Sequence, residues 1–262
     1  MATAPNPSLP LFYKDLVPLN FEQHKNFRVR AADTAPFLAN EHAVPLTVDE
    51  FVLCQRYLPI VFSSGEDSVP LALMGLNEGV NTLVDADGKP RRDEGYMPGY
   101  IRRYPWMLAR IDPSKDELSL CFDSTVSNIG EFEDGDKLIH DDGAPTVITQ
   151  EVLKFCEQFE QAAQRTAQFM KDLKELDLLM EGELSLQMPG VEQPYVYRGF
   201  QMVNEDKLRE LRGDQLRKIN QNGMLPLIYA HLFSLQVMRE IFGRQQEYGL
   251  GPDLTQLQPQ PA

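Results

Sequence analysis

The chain has 262 residues, 42% hydrophobic and 24% charged, the proportions of a folded globular protein and not of a disordered one. Its 39 acidic residues against 25 basic ones give a formal net charge of −14, a surface that repels phosphate backbones and anionic headgroups, so nucleic acid is not an expected partner. Membrane insertion is not expected either, because the most apolar stretch, MLPLIYAHLFSLQVM, carries His231 and Gln236 and is too short to span a bilayer.

In chain order, residues 1–10 are proline-rich and read as a flexible arm, followed by a single domain over 11–246. The start, MATAPNPSLPLFYKD, has neither the basic nor the apolar segment of a secretory signal, which predicts a cytoplasmic protein. YLPIVF and VPLALMGL flank SSGEDS as the arms of a hairpin. VNTLV reads as a further strand, closed by the turn DADG. WMLARID and LSLCFD, separated by PSKDE, predict a second hairpin.

Near Thr146 the pattern changes period. Val152, Cys156, Phe159, Ala163, Thr166, Met170 and Leu173 recur at steps of four and three, widened by Phe155, Ala162, Phe169 and Leu176. That is one long amphipathic helix of roughly 40 Å, packing inside the domain. ELSLQM and YVYRGFQMV around PGVEQP predict another hairpin, and NEDKLREL a short helix capped by Asn204. GDQLRKINQNG predicts a helix from Asp214 ended by Gly223. The last helix begins near Pro226 and is apolar on nearly every side as far as Met238, so it should be buried. Residues 247–262 lack pattern and read as a disordered tail. The expected class is α+β: a mainly antiparallel β-sheet in the N-terminal half, with helices packed on it.

GYIRRYPWMLAR, Gly99 to Arg110, gathers basic and aromatic residues in an acidic chain. As a strand it would put an arginine on each face. As a helix it sorts better: Tyr100, Ile101 and Tyr104 share one arc, Arg102 points away and Arg103 flanks the stripe. Pro98 suits the first turn, Pro105 stops the helix, and Asp93 and Glu94 precede it where the helix dipole favours acids. If one face binds a ligand, the candidates are Tyr100, Arg102, Arg103, Tyr104 and Trp106, with arginine donating paired hydrogen bonds to a carboxylate and the rings forming a wall.

Other chemistries are weaker. His140, Asp142 and His231 have the order of a two-histidine, one-carboxylate iron site, but a long helix lies between the first two and the third. DADG at Asp85 fails as a calcium loop, with Pro90 where glycine and Tyr96 where glutamate belong. Phosphate-binding glycine loops and a G-x-S-x-G elbow are absent. Cys54, Cys121 and Cys156 have no C-x-x-C spacing and read as reduced packing residues.

LFYKDLVPLNFEQHKNFRV, YLPIVF with VPLALMGL, LVDADGKP, YMPGYIRRYPWML, GFQMVNEDKLREL and LPLIYAHLFSLQ, in that order, resemble the bacterial SapC family over roughly residues 10 to 242. The resemblance implies an accessory part in surface-layer assembly or in the uptake or modification of a substrate. It carries no catalytic residues over to this chain. The expectation is a non-catalytic protein that works by binding a protein or peptide, without a cofactor and with its oligomeric state left open. The alternative is a metal-dependent oxygenase of the iron/2-oxoglutarate kind, using His140, Asp142 and His231.

Overall fold

The computed structural model describes residues 9–92, 95–111, 117–187 and 194–251. Residues 1–8, 93–94, 112–116, 188–193 and 252–262, on which parts of the expected arm, hairpin loops and tail fall, lie outside the described residues.

The chain opens with β1 (Leu16–Pro18), α1 (Phe21–His24) and β2 (Phe27–Val29), followed by β3 (Ala43–Pro45) and α2 (Phe51–Cys54). The hairpin β4 (Ile60–Ser63) and β5 (Pro70–Leu73) precedes α3 (Gly99–Arg103), β6 (Trp106–Ala109) and β7 (Ser119–Asp123). Two short strands, β8 (Ile129–Glu131) and β9 (Asp136–Lys137), lead to the long helix α4 (Val147–Glu175). Then come β10 (Leu179–Glu181), β11 (Leu184–Leu186), β12 (Tyr195–Tyr197) and β13 (Phe200–Val203). The chain closes with α5 (Glu205–Arg209), α6 (Gly213–Gln221), α7 (Met224–Ser234) and α8 (Val237–Glu247). The fold is α+β and its named strand pairs are all antiparallel.

The chain forms two compact units, Met1–Asp33 with Gly99–Gln161, and Thr34–Pro98 with Ala162–Ala262. The first holds two small sheets, ordered β1-β7-β6 and β8-β2-β9. The β6–β7 hairpin pairs Trp106 with Phe122 and Leu108 with Leu120. Trp106, Leu108 and Phe122 join a core with Leu138, Ile139 and Cys156; burial alternates along β6, whereas the end of β7 is buried at Cys121, Phe122 and Asp123 alike. Thr146 and Thr149 fasten the start of α4 by donating to the carbonyls of Lys137 and Leu138 at 2.6 Å each.

The second unit is built on a five-stranded sheet ordered β10-β13-β4-β5-β3. Phe51 and Phe62 meet Phe169 of α4 on one side of its core, while Val61, Phe200 and Met238 cluster elsewhere. Asn204 caps α5 as expected, accepting from the N–H groups of Asp206 and Lys207. Gly223 follows α6 with φ 79°, the left-handed conformation that ends a helix.

Three expectations change in detail. VNTLV is not a strand; Val84 makes a single bridge to Pro90. Its backbone is held by side chains instead. Asn81 Nδ2 donates to the carbonyls of Leu38 and Glu41, while Asn81 Oδ1 accepts from Leu83 and Val84 N–H. The segment YVYRGFQMV divides at Gly199, whose φ is 93°: β12 pairs with β11, whereas β13 joins β4 and β10. The apolar C-terminal helix is two helices, broken after Ser234, whose hydroxyl donates back to His231 O at 2.6 Å, a bond that bends helices. Among the described residues no helix is long and apolar enough to cross a membrane.

Candidate functional site

In the first unit, α3 forms where the sequence predicts it, and Tyr104 N–H closes its last turn on Ile101 O at 3.1 Å. Tyr100, Ile101 and Arg103 are buried and Arg102 is exposed. Arg103 therefore goes further inward than a flanking position.

The buried arginine has an aromatic setting. Its guanidinium carbon lies 4.2 Å from the centre of the Phe159 ring and 5.3 Å from that of Tyr100. Nη1 donates to Glu160 Oε1 at 3.0 Å. Its Nε–H is out of contact with solvent and has no acceptor among the described residues, so the guanidinium has donor capacity unused there. Tyr100 donates its hydroxyl to Leu11 O at 3.1 Å.

Trp106, 6% exposed, belongs to the core, and its carbonyl accepts from Tyr13 OH at 2.6 Å. Tyr104 OH donates to Asp123 Oδ2 at 3.4 Å. Burial, and then the Asp123 charge, push the Tyr104 phenol up to about 12. Asp123 is itself fully buried; burial pushes its carboxyl up, but donors from Thr125 and Lys14 outweigh that and hold it below the usual carboxylate range.

Beside this cluster runs an open groove of about 320 Å³. Arg102, Arg103 and Trp106 line it from the α3 side, and Val152, Phe155 and Cys156 from α4. The Arg102 guanidinium sits over Phe155, 5.3 Å from the ring centre, and no described carboxylate pairs with it. The five candidates thus divide. Tyr100, Tyr104 and much of Arg103 and Trp106 bind the unit together, and Arg102 faces outward on an apolar groove. Glu160, Tyr13 and Asp123, which complete the cluster, went unnoticed in the sequence. Only the helical stripe through Phe159 hinted at Glu160.

The alternative metal triad does not assemble. His140 lies in an exposed turn whose N–H donates to Ala144 O, and Asp142 Oδ1 accepts from Ala144 N–H. His231 is fully buried with both ring nitrogens engaged: Nε2 accepts from Val203 N–H at 3.0 Å, and Nδ1 bonds Ile60 O at 2.8 Å. Neither nitrogen is left for a metal. Among the described residues no three His, Cys, Asp or Glu side chains are grouped to hold an ion. The three thiols are buried, and burial raises all of them, Cys121 and Cys156 up to about 11, which suppresses the thiolate.

Comparison with curated proteins and with solved structures finds no match. The sequence model of the SapC family matches residues 19–241, most of the chain and nearly the span over which the motifs resemble it. The chain belongs to the SapC family.

Proposed function

We propose that this chain works by binding, and that the groove between α3 and the first half of α4 takes hold of a peptide segment bearing a carboxylate. The observation that carries the reading is Arg102: a guanidinium with no carboxylate partner among the described residues, set over Phe155 at the edge of an apolar groove. In a chain of net charge −14, eight described arginines are paired with carboxylates, whereas Arg102 is set over a ring at an apolar wall. Guanidinium recognises carboxylate with two parallel hydrogen bonds, and the ring adds contact area at low entropic cost. An accessory setting in surface assembly or substrate uptake rests only on what the family resemblance implies.

Selection of displayed peptides on the full chain tests this. Enriched peptides should pair an acidic side chain or a free C-terminus with a neighbouring apolar residue. They should lose binding to an Arg102→Glu variant whose melting temperature is unchanged. Peptides that bind both proteins equally would remove Arg102 from the reading.

A further inference from the structure

A helix that is apolar on every side belongs inside a protein, yet α7, in the second unit, keeps one side outside. Ile228, Ala230, His231 and Ser234 are buried, whereas Pro226, Tyr229 and Phe233 recur at steps of three and four and are exposed. Tyr229 is 42% and Phe233 61% exposed, and their rings stack on each other, 5.8 Å apart at 27°. The helix α2 packs beside α7 and adds Val52 and Leu53, 54% and 57% exposed.

No Asp, Glu, Lys or Arg occurs from Ile219 to Met238, although charged residues make up 24% of the chain. That gap matters in a molecule of net charge −14: two copies repel through most of their surface, and least where neither carries a charge. Neither α7 nor α2 offers an acid to draw a basic partner, which leaves apolar contact as the ground of recognition.

The geometry points to this face as the contact between two copies of the chain, paired about a two-fold axis with their α7 helices antiparallel. The one-turn spacing makes the stripe complementary to itself, since Tyr229 of each copy then meets Phe233 of the other. At about 150–250 Å² for a whole aromatic side chain, and somewhat less for an aliphatic one, the four side chains expose roughly 400 Å². Single chains seldom leave a larger apolar patch open to water. Doubled across the axis and bordered by a polar rim, the face reaches about 1,200 Å², the lower end of specific interfaces. Such an area predicts a dimer that dissociates in the micromolar range.

Sedimentation velocity of the full chain over a dilution series tests the proposal. A species of twice 29.8 kDa should form, and added salt should strengthen it by screening the net charge. Phe233→Glu and Tyr229→Glu should each weaken pairing at least about tenfold with the far-UV spectrum kept, because each sets a carboxylate against an apolar face. Arg102→Glu should pair as the natural chain does. With glutathione disulfide as oxidant, chains carrying Tyr229→Cys should cross-link to chains carrying Phe233→Cys faster than either does to itself. A chain monomeric at every concentration, a dimer undiminished by both glutamates, or equal cross-linking of like and unlike chains would each overturn the proposal. So would a Phe233→Cys thiol that reacts slowly in the monomer, which would give the face to a segment of the same chain.

Discussion

Arg103 and Glu160 form an ion pair of unequal partners: the arginine side chain is 5% exposed, the glutamate 37%, and they meet at 3.0 Å. Removing either one has a different consequence. Glu160→Gln leaves a buried cation with only a neutral acceptor, while Arg103→Ala leaves a glutamate that water can reach but empties the space against Phe159 and Tyr100. We expect each to cost about 2 kcal/mol in urea denaturation, against less than about 0.5 kcal/mol for Arg102→Ala, which touches only solvent and one ring. Equal losses at 102 and 103 would contradict the division of the cluster.

His231 makes stability depend on pH. Burial holds its imidazole down to about 4 in the folded chain, against 6.5 when exposed. A depressed folded value means that the unfolded chain binds the proton first. Its contribution is therefore complete above pH 6.5 and lost as pH falls towards 4, by about 3 kcal/mol in all. His24, also lowered by burial, adds in the same direction. Asp123, whose carboxyl is held low, acts in a separate window, losing its contribution as pH falls below 3.8. Denaturation midpoints measured from pH 7 downward should drop over the histidine window, and the slope should flatten in His231→Gln.

Thr166 performs two tasks in the second unit. Its hydroxyl accepts from Val48 N–H at 3.0 Å and donates to Ala162 O at 2.7 Å. Thr166→Val keeps the shape and leaves the buried Val48 N–H without an acceptor, so a loss of about 1–3 kcal/mol is expected. Thr166→Ser, which retains the hydroxyl, should recover most of it.

The three thiols should be silent in the native protein. With all three buried and raised by burial, Cys54, Cys121 and Cys156 should react with a thiol reagent at neutral pH only at the rate of opening. All three should react at once in denaturant. Rapid native labelling of Cys156, which lines the groove beside α3, would show that the groove opens deeper than its static form.

Local signals in the sequence proved the most informative. The β4–β5 and β6–β7 hairpins, the turn of α3 between its prolines, the Asn204 cap and the stripe of α4 all rest on residues within a few positions of one another. What escaped depends on distant partners. Nothing near Phe200 announces that β13 pairs with β4, some 138 positions earlier, and not with β12. The side-chain bonds of Asn81 replace a strand that its neighbours favour. For the candidate site, the direction of Arg102 was legible from helical angle alone. The inward turn of Arg103 was not, because it depends on Phe159 and Glu160, more than fifty positions further along.

Helix α7 carries one more implication. A segment greasy on every side has no preferred face and can roll about its axis with little change in buried area. Here His231 and Ser234, nearly one turn apart, fix its angle. The imidazole joins Ile60 O to Val203 N–H, and the serine hydroxyl accepts from Ile60 N–H at 2.8 Å. Both backbone groups of Ile60 thus close on the same helix. Two polar side chains act as a key for an otherwise featureless cylinder, so replacing both with apolar residues of like size would leave a packed helix free to settle at more than one angle.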